Sequence, residues 1–239
     1  MNYLETLARH FPNALTEASF VSRTYQALLR YGFGKINTLA CLCLCRDELT
    51  RPLADEIENI WGHAFQLSSL SGMVVAGKTS FAAARDHVPQ TDGRERTVYF
   101  ALPHIAIGRE GEIGQCYRPG RIQPSVACGA LAAFRQNLLS GQFGTEMDTD
   151  DMEQSLLRAR LLPNLPTSAV PDLVSLTQLA YAVILEDLER MISLTLDPAT
   201  SDYAVLTGIQ IHGPDRLNYV WPGVMYGVVS GQRQEILPL

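Results

Sequence analysis

Long apolar runs are missing from this sequence. No stretch approaches the ~20 consecutive apolar residues that a membrane-spanning helix needs, so the chain is not expected to cross or act on a membrane. Concentrated positive charge is missing too: 19 Lys and Arg face 25 Asp and Glu, a formal net charge of −6. Nucleic acid and anionic lipid surfaces both demand a basic patch, so a small-molecule partner is expected instead. The cysteines, five in number, make no disulfide framework, because the count is odd and three of them crowd one apolar segment; they fit a reducing compartment. The opening Met1 to Pro12 carries Glu5, Arg9 and His10 without a continuous apolar core. It does not read as a secretory signal, and a cytoplasmic location is the expectation. Internal repeats and low-complexity tracts are also absent.

What is present is an alternation of strand and helix signals. With 239 residues, 46% of them hydrophobic, the chain is long enough for one sizeable core, and residues 1–239 are read as one domain. Thr16-Glu17 opens a helix that stops at the Gly32/Gly34 pair. Ile36 to Cys45 reads as a strand covered on both faces. A helix begins near Pro52, Met73 to Ala76 reads as a short buried strand, and Phe81 to Ala84 as a helical turn. Thr91-Asp92-Gly93 marks a turn before a strand over Thr97 to Leu102. Pro124-Ser125 is expected to cap a helix that runs through Leu139 with Ala127, Leu131, Phe134 and Leu138 on its apolar face. Gly144 to Asp151 resembles a linker. Helices follow near Met152 to Leu161 and Val170 to Leu196, then β-rich segments over Tyr203 to Ile211 and Tyr219 to Val229. The pattern predicts an α/β fold, a mainly parallel central sheet flanked by helices, with the ligand site beyond the carboxyl ends of the strands.

Three soft ligands fall where such a fold would gather them. Cys45 ends the first strand, His104 follows the strand over Val98 to Leu102, and Cys128 is expected in the first turn of the helix from Ser125. There, free amides and the helix dipole favour a thiolate. Two thiolates and one imidazole suit zinc, and three protein ligands leave one position for water. Cys41, Cys43 and Cys45 point to one strand face about 6.5 Å apart, too far for shared zinc bonds of about 2.3 Å. Cys41 and Cys43 are therefore read as small buried hydrophobes. Other readings stay open: a thiol hydrolase using Cys128 as nucleophile and His104 as base, or a structural zinc domain with His212 or Asp47 as fourth ligand. Asp47 could also serve only as a helix cap or in a surface ion pair.

The order of motifs is recognisable: Cys45-Arg46-Asp47-Glu48, Gly77-Lys78-Thr79, His87-Val88-Pro89, Pro103-His104-Ile105, Ala127-Cys128-Gly129, Asp202-Tyr203-Ala204-Val205, and Thr207 to Pro214. Over nearly the whole chain this resembles the limiting-CO2-inducible protein B/C family, the theta-type carbonic anhydrases. The resemblance implies a fold similar to β-class carbonic anhydrase, a homodimer, and zinc held by Cys45, His104 and Cys128. It implies a lyase that interconverts CO2 and bicarbonate through a zinc-bound hydroxide. Asp47 would orient that hydroxide while an arginine keeps the carboxylate ionised. Position 49 is Leu, where β-class enzymes carry that arginine, so Arg46, Arg51 and Arg85 are the candidates for the partner, and His87 is a candidate for the pocket lining. The family also implies an alternative: a zinc-binding but inactive homologue that binds inorganic carbon or a partner protein.

Overall fold

The computed structural model describes residues 2–167 and 169–236. In chain order the elements are α1 (Tyr3–His10), β1 (Leu15–Thr16), α2 (Glu17–Leu29), β2 (Leu39–Leu44), α3 (Arg51–Trp61), β3 (Ala64–Gln66), α4 (Gly77–Arg85), β4 (Gln90–Thr91), β5 (Arg94–Leu102), β6 (His104–Ala106), β7 (Gln115–Cys116) and β8 (Ser125–Val126). They continue with α5 (Gly129–Leu139), α6 (Met152–Leu161), α7 (Leu173–Thr195), β9 (Ser201–His212), β10 (Asn218–Val229) and β11 (Gln232–Glu235).

The main sheet runs in the order β1-β10-β9-β5-β2-β3, with β4 on β5, β6 on β9 and β11 on β10. Its centre is parallel: β3, β2, β5 and β9 point the same way, and β6 continues alongside β9. The antiparallel β10, β1 and β11 extend one edge. Strand β2 shows why the apolar run folds so. All six of its residues are buried, and they alternate between two cores. Cys41 and Cys43, with Tyr99, Ala101 and Val205, pack under α4, α5, α6 and α7. Ala40, Leu42 and Leu44, with Val98, Phe100 and Leu206, pack under α2 and α3. A strand covered on both faces has no polar side to show, hence the unbroken hydrophobic pattern.

Several local expectations hold. Thr16 caps α2 by accepting from the Ser19 amide, a proline sits in the first turn of α3, and Asp92-Gly93 closes the β4–β5 hairpin with both residues at positive φ, as a two-residue primed turn requires. Asp172 caps the long α7 by accepting from Ser175 N–H at 2.7 Å. Asp172→Ala is expected to lose about 1 kcal/mol of stability, read as a lower urea midpoint with unchanged m-value.

Other expectations are corrected. The first strand begins at Leu39, because Ile36 is 86% exposed. Met73 to Ala76 is not a strand: Leu70–Gly72 is a single helical turn and the chain then runs irregularly into α4. Pro124-Ser125 does not open a helix. Ser125 and Val126 pair with Cys116 and Gln115 in a small hairpin, and α5 starts at Gly129, which makes Cys128 its N-cap residue rather than part of its first turn. The Asp202 of the late motif is structural: it is 1% exposed and takes a bidentate ion pair from Arg94 at 2.6 and 2.9 Å. Gly208 in the same motif lets β9 and β10 close, since a Cβ there would collide with the Trp221 carbonyl oxygen.

Candidate metal centre

The carboxyl ends of β2 and β5 open onto one point. Cys45 directly follows β2, His104 begins β6 just after β5, and Cys128 is the N-cap residue of α5. One ligand atom from each of Cys45, His104 and Cys128 lies within 4.8 Å of the others, and all three residues are buried, with exposures of 5%, 0% and 1%. The two sulfurs are 4.0 Å apart. Two thiolates on one tetrahedral zinc stand about 3.8 Å apart, given bonds of about 2.3 Å, so the donor set has the size as well as the chemistry of a zinc site. His104 adds a second sign of fit. Its Nδ1 is 2.9 Å from His212 Nε2, while its buried Nε2 has no hydrogen-bond partner among the described residues. A nitrogen left in this way is costly unless something binds it.

The sulfurs are held from the protein side by a turn that the sequence pattern did not announce. Ser71 donates its backbone N–H to Cys45 Sγ at 3.2 Å, and its hydroxyl lies 3.1 Å from Cys128 Sγ. Gly72 makes this approach possible: its φ is +74°, and a Cβ would meet the Leu102 and Cys43 carbonyl oxygens at 2.9 and 3.0 Å. The hydrogen bond between the thiols splits their behaviour. It is the largest influence holding Cys128 well below the ordinary thiol range, against the cost of burial, and His104 and Ser71 add to it. The same bond raises Cys45, which keeps the shared proton. Burial pushes His212 well below the usual imidazole range, so that ring is neutral.

Asp47 finds its arginine in Arg118, outside the candidates drawn from the sequence. Arg118 Nη2 donates to both Asp47 oxygens at 2.9 and 3.0 Å, and Asp47 Oδ1 also accepts from the Leu49 N–H at 3.1 Å. The ion-pair reading of this aspartate is therefore present, but its cap serves the single turn Glu48–Thr50 rather than α3, whose N-cap residue is Thr50. The same guanidinium contacts Glu48 and Ser125 and lies 3.0 Å from Cys116 Sγ, which ties the β7–β8 hairpin to the end of β2. Arg46 instead pairs with Glu153 at 2.5 Å, Arg51 with Asp55 at 2.6 Å and Arg85 with Glu95 at 2.6 Å. The physical reason is direction. The helix α4 runs back from the ligand edge to the amino end of β5, which carries Arg85 to Glu95 and leaves His87 exposed, its ring 5.6 Å from Phe65. Within one chain neither Arg85 nor His87 joins the cluster. His212 and Asp47, weighed as fourth ligands, are engaged by His104 and Arg118 respectively. A cleft of about 1090 Å³ lies alongside, lined by Arg118, Cys116, Tyr117, His212 and Asn218 among others.

Arg118 could not have been singled out from its own segment, Cys116-Tyr117-Arg118-Pro119-Gly120-Arg121, which offers two arginines in a turn and no periodicity. Ser71 had one signal, the Ser71-Gly72 pair beside an apolar run, but it reads equally as any turn.

Comparison with known proteins agrees with this geometry. A family model described as limiting CO2-inducible proteins B/C beta carbonic anhydrases matches residues 14–229. A crystal structure of limiting CO2-inducible protein LCIB is similar at 36% identity and a TM-score of 0.82, with 98% of each chain covered. PtLCIB4, a homologue of LCIB, is similar at 28% identity and a TM-score of 0.87, covering 98% of this chain and 99% of that one. A histidine-to-alanine mutant of PtLCIB4 is similar at 27% identity with the same TM-score and 99% of both chains covered. No curated protein matches. Among the described residues no helix is long and apolar enough to cross a membrane. An α/β sheet that gathers two thiols and an imidazole at its carboxyl edge, matched over residues 14–229, places this chain in the limiting CO2-inducible protein B/C family of carbonic anhydrase-like proteins.

Proposed function

We propose that this protein is a zinc-dependent carbonic anhydrase that interconverts CO2 and bicarbonate, with Cys45, His104 and Cys128 holding the metal. The observation that carries this reading is the convergence of those three buried residues on one point, with a nitrogen of His104 left without a partner. Zinc supplies a Lewis acid that turns water into a nucleophile at neutral pH. The residues around it supply the rest. Ser71 steadies both sulfurs from the protein side. Asp47 accepts a hydrogen bond from the water consumed in hydration and so aims it, and Arg118 Nη2, bonded to both carboxylate oxygens, fixes it in direction. Each hydration releases one proton, and the cleft beside Arg118, with Glu48 on its lining, offers it a way to solvent.

The remaining sequence candidates take narrower roles. Arg46, one residue past the first ligand and largely exposed, is proposed at the mouth of the site, where release from Glu153 would free it. Arg85 and His87 lie away from the cluster, so a catalytic role for either requires delivery across a dimer interface. We propose a cytoplasmic location and a homodimer, the dimer supported by exposed apolar side chains at Tyr117, Ile122, Val126, Leu139 and Phe143; light scattering reads its mass directly.

Stopped-flow CO2 hydration on metal-replete protein tests the activity. The expected result is a rate proportional to enzyme and abolished by a zinc chelator. Protein that carries one zinc per chain and hydrates no CO2 would instead be the inactive, carbon-binding or partner-binding homologue.

A further inference from the structure

The polar side chains that begin at His104 do not stop at His212. His212 ends β9 and stands opposite Asn218, the first residue of β10, in the β9–β10 ladder. One ring nitrogen of His212, Nε2, faces His104. The other, Nδ1, is buried without a hydrogen-bond partner among the described residues, and Asn218 is the residue that stands opposite it in the ladder. Asn218 Nδ2 in turn donates to Glu17 Oε2 at 3.4 Å, and Gln210 Nε2 donates to Glu17 Oε1 at 2.5 Å. Glu17 is the first residue of α2; burial pushes its carboxyl above the usual range, while the Gln210 and Asn218 amides act the other way by hydrogen-bonding the carboxylate.

The carbonyl oxygen of Asn218 is the acceptor that the ladder sets against His212, and donor and acceptor chemistry then orders the rest. A carboxylate accepts and cannot donate, so Asn218 turns its NH2 to Glu17 and its carbonyl oxygen toward His212. A neutral imidazole that faces an acceptor carries its proton on that nitrogen, here Nδ1, and His212 Nε2 is then a lone pair. His104 must therefore hold its own proton on Nδ1, and its Nε2 lone pair is left pointing at the two sulfurs. We propose that Glu17 and Asn218 are positioning residues for the metal centre, acting through His212 to set the tautomer of His104 that can bind a cation. This inference rests on the zinc reading above and assigns what aims its imidazole ligand.

Two measurements on the full chain test it. In competition against a chromophoric chelator, Asn218→Leu, which removes the acceptor at similar volume, is expected to weaken zinc binding by about 10- to 100-fold. Glu17→Gln combined with Asn218→Asp moves the charge but keeps an acceptor facing His212, and is expected to restore affinity. Long-range 1H–15N spectra of the wild-type imidazoles, recorded with and without zinc, are expected to show His212 protonated on Nδ1. Wild-type zinc affinity in Asn218→Leu, failure of the double variant to recover, or a His212 proton on Nε2 would each overturn the proposal. A wild type that takes up no zinc would sink the zinc reading instead; the metal-free tautomer spectrum would still support the chain with a proton on Nδ1 or overturn it with one on Nε2.

Discussion

Alanine at Cys45, His104 or Cys128 is expected to abolish stoichiometric zinc, measured by elemental analysis after dialysis. The three ligands sit on segments far apart in sequence and share one buried point, so each removal leaves two donors, too few to hold zinc against solvent. Folding feels the loss as well. A metal that binds the folded state alone contributes about 4 kcal/mol at a free concentration 1,000 times its dissociation constant. For a chain of this size that corresponds to about 8–16 °C in melting temperature. Zinc should raise the wild-type transition by an amount in that range and leave the three variants unmoved. Any one of them that retains one zinc per chain would remove its residue from the ligand set.

Asp47→Ala is expected to keep zinc and lose CO2 hydration by about 100-fold or more, the scale of a positioned proton-handling group. Arg118→Ala should follow it in direction, because the guanidinium binds both carboxylate oxygens and no other side chain among the described residues pairs with Asp47. Arg118→Lys should not rescue it fully, since one ammonium cannot reach Asp47, Glu48 and Ser125 at once as the planar guanidinium does. The informative comparison is kcat/KM against zinc content. If Asp47→Ala hydrates CO2 at the wild-type rate with full zinc, the carboxylate has only its capping role at Leu49. By contrast Arg46→Ala, which breaks an exposed pair with Glu153, should change stability by less than about 1 kcal/mol.

The candidate ligands were legible in the sequence because ligand chemistry is a property of residue type, and because strand ends can be placed from local pattern. Cys45 lies where an apolar alternation stops, and His104 follows the next such run. The position of Cys128 was less well read: its approach was taken as helical, whereas residues 125–126 pair with 115–116. That pairing is a contact between segments, which no helical periodicity reveals. The short apolar stretch Met73 to Ala76 failed for a related reason. Burial alone does not distinguish a strand from an irregular segment packed into the core.

From the residues alone came the α/β class, the doubly covered strands, the cap of α2 and the proline start of α3, and the donor types that a metal would meet, since periodicity, turn chemistry and side-chain functional groups are all local. Tertiary structure decided who stands next to whom. Arg118 reaches Asp47 across 71 positions and His212 reaches His104 across 108. Such distances close only when the sheet order and the paths of its loops are set. Ser71, Asn218 and Glu17 belong to the same class, for a hydrogen bond is satisfied by whichever polar group the folded chain brings within about 3 Å, and nothing in the identity of either partner names the other.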